Sequence, residues 1–507
     1  MSASRWRRRE LLAGLAAGSA GFLAAGPAAA LSPREAGSWD ETTDVLVAGS
    51  GSAACSAAIE ARRMGARVLL IEALPKFGGS SAMSGGVVYA GGGTALQKAA
   101  GFEDSVEEMY RFIAGNSGRH PQLAKIQLYC EESVAHFDWL VAMGVPYNDR
   151  FTAVKELTLG DESLYYSGNE LAWPAREHSR PVPRGHVPGT PGMTGGRTLM
   201  EALLAQTVAA DVTMRSGVAG QRLIVEADGR VAGMQVVAEG ETRNIRALRG
   251  VVLACGGFIH NRDMVQRHAP ALFDCSAPWG NAGDLGQGIM MGAGVGGETL
   301  HMHEGFAITP IYPPESTLAG IVVNANAQRF VPEDSYYGVL GDAIAYQQEG
   351  LAWLITDASS SFDHPQDNFL PVAEAPTIGD LAARTDFPQG ALQHTVAYYN
   401  RFADIGRDPL FHKQGQYLRP LDKPPFKAWD LSVKRAFFTA HTFGGLHTDI
   451  DGRVIGGFGE PIPGLYAAGR TTAGLPVAPY IASGLSVGDC TFFGRRAGVA
   501  AASEVPV

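Results

Sequence analysis

Two rhythms of hydrophobic and polar positions alternate along this chain. From Thr43 an apolar run, DVLVAGS, gives way to a glycine turn, then to AACSAAIEARRMG with helical spacing, then to a second apolar run, ARVLLIEA. Short apolar runs bounded by turn residues read as buried strands, so this order predicts a βαβ unit with parallel strands. The stretch 102–145 keeps the helical rhythm in EDSVEEMYRFIA and EESVAHFDWLVAMGV and is predicted to be helical scaffold. The strand rhythm returns in VTMRSGVAGQRLIVEADGRVAGMQVV, with a hairpin signal at Asp228-Gly229, and in the buried run ALRGVVLACGGF. It returns once more in HTFGGLHTDIDGRVIGGFGEPIPGLYAAG, which reads as a strand, an acidic turn, a second strand and a glycine elbow.

Two regions interrupt these rhythms. WPAREHSRPVPRGHVPGTPGMTGG, from Trp173 to Gly196, is rich in Pro, His and Arg and predicts a long loop near a bound group. Its His178, Arg184 and His186 are either ligands or solvated loop residues. From about His301 to Arg435 aromatic residues increase and the links lengthen, which predicts a second domain inserted into the first. The chain must then return to finish the nucleotide-binding domain, and the segment from Phe443 to Gly469 is expected to do so.

The turn after the first strand carries Gly49, Ser50, Gly51, Ser52, Ala53 and Ala54, and Glu72 ends the second strand. Gly49 permits a tight turn, Gly51 lets backbone approach a pyrophosphate, and small Ala54 lets helix and strand touch. The helix N-terminus offers unpaired N–H groups to phosphates, and Glu72 is placed to accept hydrogen bonds from an adenosine ribose. Directly afterwards LPKFGGSSAMSGGVVYAGGG supplies Gly78, Gly79, Ser80, Ser81, Ser84, Gly85 and Gly86. Close backbone approach interleaved with hydroxyl donors suits a flavin embedded along its ribityl chain and ring. Val218, Gly256 and Asp284 are expected to add further contacts, as are Gly469 and Arg470 on the returning segment and Leu485 and Ser486 on the last helix.

Composition narrows the partners. With 507 residues, 46% hydrophobic and 18% charged, the chain has material for two or three domains. A net charge of -10 leaves no basic face for a phosphate backbone, so nucleic-acid binding is not expected. The first residues, SRWRRRELLAGLAAGSAGFLAAGPAAALS, join an arginine cluster to a weakly apolar Gly/Ala run and a small-residue site. That is the pattern of an export signal over residues 1–30, with Arg8 and Arg9 in the twin-arginine arrangement and cleavage after Ala28-Ala29-Ala30, so the protein is expected outside the cytoplasm, in the periplasm. Cys55, Cys130, Cys255, Cys275 and Cys490 form no C-x-x-C and no C-x-x-C-H, which argues against covalent haem, zinc ribbons and iron–sulfur clusters and for buried free thiols.

Taken in order, VAGSGSAACSAAIEARRMGARVLLIEA, GGSSAMSGG, VVLACGGFIHN, GDLGQGIMMG, NANAQRFVPEDSYYG, YYNRFADIGRDPLF, HTFGGLHTD and SGLSVGDCTFFGRRAG resemble the flavoproteins related to fumarate reductase and 3-ketosteroid dehydrogenase. The resemblance covers nearly all of the chain after the signal. It implies an α/β fold: a Rossmann-like FAD domain of the glutathione-reductase type in two pieces, 41–300 and 435–507, around an α+β capping domain for substrate at 301–434. It implies non-covalent FAD, since SAMSGGVVYAGG has no counterpart of the histidine that carries covalent flavin in succinate dehydrogenases. It also implies hydride exchange between flavin and one carbon of a C–C bond, with proton exchange at the neighbouring carbon.

Fumarate and urocanate reductases in this family use an arginine after RF-x-x-E as proton donor, and a second one near the C-terminal helix to grip a carboxylate. Here Tyr336 and Tyr337 follow Arg329, Phe330 and Glu333, and Tyr480 stands where the carboxylate-binding arginine would fall. These departures are similar to the ketosteroid dehydrogenase branch. There a tyrosine after the motif takes a proton, and a tyrosine with a glycine N–H hold the ketone oxygen, as Tyr480 and Gly484 are spaced to do. Either Tyr336 or Tyr337 is the base, and its pKa is expected to be lowered by neighbours. His441 aligns with a substrate-contacting histidine of the fumarate branch and here either contacts substrate or orients the flavin loop. Arg470 replaces a glutamate that touches the ribityl chain in many relatives. The implied partners are an apolar ketone, a quinone or separate electron carrier, and the twin-arginine export machinery. The alternative is a reductase of an α,β-unsaturated acid or ketone using the same residues in the reverse direction.

Overall fold

A computed structural model describes residues 30–154, 160–309, 315–360 and 371–506. Apart from its last residue, the expected export signal lies outside the described residues.

The first strand, Glu41–Ala48, lies at the centre of an eight-stranded sheet. Val68–Glu72 pairs parallel on one side of it and Glu241–Leu253 parallel on the other. Thr213–Ser216 extends the sheet beyond Val68–Glu72, and Pro461–Ala467 extends it beyond Glu241–Leu253, both parallel. Every residue of Val68–Glu72 is buried, as a continuous apolar run covered on both faces requires. The hairpin expected at Asp228-Gly229 joins Val218–Val225 to Val231–Ala238, which pairs antiparallel with the start of Glu241–Leu253.

The helix after the first strand, Ser52–Arg63, packs against the last helix, Leu485–Ser503. Gly494 and Gly498 lie one turn apart on the last helix, on the face turned to Ser52–Arg63. A Cβ on Gly494 would meet the Ala53 carbonyl oxygen at 2.4 Å, and one on Gly498 would meet that of Ala57 at 2.1 Å. The two helix backbones are therefore in direct contact, and the end of the chain is fastened to its first βαβ unit. The expected scaffold helices are present as Val106–Asn116, Leu123–Glu131 and Ser133–Ala142.

The Pro-rich stretch departs from its expected form. Gly185–His186 pairs antiparallel with Val88–Tyr89 and with Leu164–Tyr165, so this part is sheet rather than loop. Arg184 and His186 are fully buried; only His178 is exposed. Arg184 Nη2 and Nε donate to Asp104 at 2.7 and 2.9 Å, and a ring nitrogen of His186 pairs with Thr94 Oγ1 at 2.8 Å. Burial pushes the His186 pKa down to about 4, so the ring is neutral. Neither residue is a solvated loop side chain, and Arg184 is engaged as one half of a buried ion pair.

Between the two parts of the nucleotide-binding sheet, Ile321–Val323, Trp353–Thr356, Phe426–Asp430 and Pro371–Ala375 form a four-stranded antiparallel sheet in that order. The helix Ala391–Ala403 buries Leu392, Val396 and Tyr399 in the core shared with this sheet. A buried ion cluster secures this part: Arg329 Nη2 reaches Glu333 at 2.7 Å and Asp408 at 2.8 Å, and Lys413 Nζ lies 3.5 Å from Glu333. Gly305–Ile308 then pairs antiparallel with Thr439–Thr442, placing Phe306 opposite His441 where the chain leaves and re-enters the larger sheet. All five cysteines are free, with Cys55, Cys130 and Cys275 buried.

Candidate active site

A cavity of about 700 Å³ runs past the carboxyl ends of the parallel strands. Its wall includes Gly49, Ser50, Gly51, Ser52 and Ala53 from the first turn, Glu72, Gly79, Ser80 and Ser81, then Val218, Gly256, Asp284, Gly469 and Arg470. Gly49 is required here twice over. Its φ of +112° disfavours a side chain, and a Cβ would fall 2.1 Å from the Ala254 carbonyl oxygen. The helix Ser52–Arg63 begins at Gly51, which has no side chain to cap it; Ser81 takes the Ser52 N–H, and the next N–H groups of the first turn are left for an anionic ligand.

Hydrogen bonds fix the polar groups of the wall. Ser50 Oγ donates to Glu72 Oε2 at 2.5 Å and accepts the Gly78 N–H at 3.1 Å, while Glu72 Oε1 accepts the Leu74 N–H at 2.9 Å. The carboxylate is thus held at the strand end, in position for a ribose diol. Ser81 Oγ accepts the Ser52 N–H at 3.1 Å. Asp284 Oδ2 receives Ser80 Oγ at 2.7 Å and Arg470 Nη2 at 2.6 Å. Arg470 thus meets the cavity as half of an ion pair. Ala54, Gly78, Ser84, Gly85, Gly86, Leu485 and Ser486 lie off the cavity wall. Ser84 and Gly86 are engaged with another helix: the Ser84 carbonyl accepts the Gly196 N–H at 3.1 Å, and a Cβ on Gly86 would meet Gly195 at 2.2 Å. The glycine turn, the helix N-terminus, the fixed carboxylate and a cavity of this volume fit an adenine dinucleotide.

Next to this cavity lies a cluster of rings contributed by four distant segments. Tyr336 and Tyr337 have ring centroids 4.2 Å apart, and Tyr480 lies 6.2 Å from Tyr336. Phe306 packs 4.7 Å from Tyr480 and 4.9 Å from His441, and Phe443 packs 5.2 Å from Tyr480. Ser483, which the sequence reading overlooked, joins the two adjacent phenols: its Oγ is 2.7 Å from Tyr336 Oη and 2.8 Å from Tyr337 Oη. Tyr480 Oη accepts the Ser486 N–H at 2.9 Å, which leaves its own hydrogen to donate. Gly484, at φ +102°, opens the last helix; a Cβ there would fall 2.5 Å from Tyr89 N.

The electrostatics differ from expectation in one respect. Burial first, then the neighbouring phenols, push Tyr336 well above the usual tyrosine range, and burial also raises Tyr337 and Tyr480. Hydrogen bonds to serine oppose these shifts, and none of the main influences is a cation. The expected lowering of the base's pKa is therefore reversed, because these rings leave water without gaining a positive neighbour. His441 is pushed well below its normal range by burial and by Arg470, so it is neutral. Its Nε2 makes no hydrogen bond among the described residues.

Residues 44–480 match the FAD binding domain family. A 3-oxo-5-alpha-steroid 4-dehydrogenase of Comamonas testosteroni is 30% identical over 511 residues, covering 85% of this chain and 93% of that protein. A fumarate reductase (cytochrome) of Shewanella frigidimarina is 29% identical over 480 residues, covering 91% of this chain and 77% of that one. Among solved structures, the 3-ketosteroid-delta4-(5alpha)-dehydrogenase of Rhodococcus jostii RHA1, in complex with 4-androstene-3,17-dione, is 39% identical with a TM-score of 0.88 and covers 94% of this chain and 100% of its own. The chain belongs to this family of FAD-dependent oxidoreductases. FAD is its cofactor, and its fold is the Rossmann-like FAD domain with a capping domain that the motifs implied.

Ser483 was legible in principle, since it sits between Tyr480 and Gly484 in PYIASG. Phe306 and Phe443 carried no such signal; only the pairing of Gly305–Ile308 with Thr439–Thr442 brings them to the phenols.

Proposed function

We propose that this protein dehydrogenates a bulky, apolar ketone next to its carbonyl, with a 3-ketosteroid-like ring as the substrate class. One observation carries this reading: Tyr336, Tyr337 and Tyr480 meet in an aromatic cluster beside the cofactor cavity, and the nearby guanidinium of Arg470 is already paired with Asp284. A carboxylate substrate would bind there without a counter-charge, whereas a ketone needs only hydrogen-bond donors. Tyr480 Oη–H and the N–H of Gly484 are those donors, and they strengthen as negative charge builds on the carbonyl oxygen. The pair Tyr336 and Tyr337, joined by Ser483, takes the proton from the carbon beside the carbonyl. Phe306 and Phe443 exclude water and hold the ring plane. The glycine turn and the Ser80–Asp284–Arg470 group would hold FAD without a covalent link, and the flavin would supply the hydride acceptor. The 39% identity to a ketosteroid dehydrogenase of nearly the same extent supports the same substrate class.

The raised phenol pKa values favour a second reading, reduction of an enone, in which the neutral phenols donate a proton. Microscopic reversibility gives both directions the same residues. Anaerobic addition of a saturated 3-ketosteroid should bleach the flavin, while succinate should not. Bleaching by succinate, or turnover of small dicarboxylates ahead of steroids, would overturn the proposal. Reoxidation with a quinone, compared with reduction by an artificial donor, decides the physiological direction.

The twin-arginine signal at Arg8 and Arg9 supports export of the folded, flavin-loaded protein to the periplasm. Substituting both arginines by lysine should leave the protein in the cytoplasm; unchanged export in fractionated cells would rule out that route.

A further inference from the structure

Behind the pocket, three buried polar atoms meet without regular partners. Tyr89 Oη, Glu170 Oε1 and Arg184 Nη1 make no hydrogen bond among the described residues, although Tyr89 and Arg184 are 0% exposed and Glu170 is 1% exposed. They act on one another: the Glu170 charge is felt at Tyr89, and that of Arg184 at both. Glu170 Oε2 is fixed by the Gly168 N–H at 2.8 Å, and the remaining guanidinium edge of Arg184 is fixed by Asp104. Three converging orphan groups of this kind are what a buried water satisfies.

The segment that carries Glu170 also holds the phenol pair. The Asn169 side-chain oxygen accepts the Tyr336 N–H at 2.8 Å. Ser167 Oγ donates to the Ser483 carbonyl at 2.9 Å, and the Ser483 N–H donates to the Ser167 carbonyl at 2.9 Å. On the other side, the Gly484 carbonyl accepts the Tyr89 N–H at 3.1 Å. Glu170 thus lies on the far side of a short peptide segment from Ser483. A neutral phenol accepts a proton only as it passes its own on, and Tyr336 is 2% exposed, so that proton needs an internal acceptor.

We infer that Glu170, with a water held by Tyr89 and Arg184, is the proton acceptor that serves the Tyr336–Ser483–Tyr337 group. This inference rests on the ketone reading. The substrate C–H bond breaks, its proton bonds to a phenol oxygen, and the phenol's own proton passes through Ser483 and bound water to the Glu170 carboxylate. The electron pair of the C–H bond stays in the enolate held by Tyr480 and Gly484. Glu170 then returns the proton to solvent past the partly exposed Tyr166, the other titratable group against it. Burial raises the Glu170 pKa to about 7, with the Arg184 charge, the Gly168 N–H and the nearby Tyr89 hydroxyl opposing the shift. The carboxyl therefore accepts a proton above pH 7 and is blocked below it.

The test is single-turnover flavin reduction by a saturated 3-ketosteroid on both sides of pH 7, in wild type and in the variants E170Q and Y89F. Wild type should be faster above pH 7. E170Q should be roughly 100-fold slower and lose that pH step, Y89F should be slower with the step displaced, and both should keep their FAD content and flavin midpoint potential. E170Q reduced at the wild-type rate with an unchanged pH profile would overturn the inference. Infrared spectra of the FAD-loaded protein give a readout that needs no substrate: a carboxylic C=O band that titrates near pH 7 and is missing in E170Q. Without that band in wild type the proton site is refuted. With the band but no flavin reduction by any ketone, the site stands and the substrate reading fails.

Discussion

Ser483 contacts both phenols, so its hydroxyl is shared by the pair proposed to take the substrate proton. Ser483→Ala should therefore slow flavin reduction more than Tyr336→Phe or Tyr337→Phe alone, because each single phenol variant leaves the other phenol on the serine. Equal rates for all three in rapid-mixing experiments would contradict a shared role. Tyr480→Phe removes the hydroxyl proposed to donate to the carbonyl oxygen but keeps the ring against Phe306 and Phe443. Its kcat/KM should fall about 100-fold or more at unchanged FAD content. The residue types were readable from the sequence, but their ionisation was not. A tyrosine in a string gives no sign of how much water it will lose, and that loss, with no cation to offset it, is what raises Tyr336 and Tyr337.

At the level of elements, the contact between Ser52–Arg63 and Leu485–Ser503 is the most demanding. A methyl group on Gly498 would enter the Ala57 carbonyl, which is backbone and has nowhere to move. Gly498→Val should cost about 3 kcal/mol by overpacking and release FAD, seen as a lower Tm and a yellow filtrate. The ion cluster below the phenols makes the opposite kind of demand. Arg329→Met leaves Glu333 and Asp408 buried without their main counter-charge and should destabilise the protein by about 3–5 kcal/mol in urea unfolding at neutral pH. Although burial alone would raise both carboxyls, Arg329 holds them below their ordinary values. Their contribution is accordingly present above about pH 4 and lost as pH falls through the folded values, so the gap between wild type and Arg329→Met should narrow in acid.

At the scale of the whole molecule, the FAD cleft takes residues from both ends of the sequence, from Gly49 and Glu72 to Gly469 and Arg470. Cofactor binding therefore draws the first and last parts of the fold together. FAD at about 100 times its Kd should add about 2.7 kcal/mol to stability and raise Tm. In Gly49→Ala that increment should be absent, since the added Cβ collides with Ala254 in the turn that faces the cofactor.

What the sequence determined by itself is local and periodic. The βαβ unit, the Asp228-Gly229 hairpin and the glycine turn each follow from local patterns, so backbone sterics and hydrophobic spacing write them directly into the string. The tertiary structure decided what depends on burial and on distant neighbours. Arg184 and His186 became buried parts of a sheet because Gly185–His186 found partners in Val88–Tyr89 and Leu164–Tyr165. Ser483 reached two phenols more than a hundred residues away. The charge state of each of these groups follows from the water it lost and the partner it gained, and both are set only when the chain has packed.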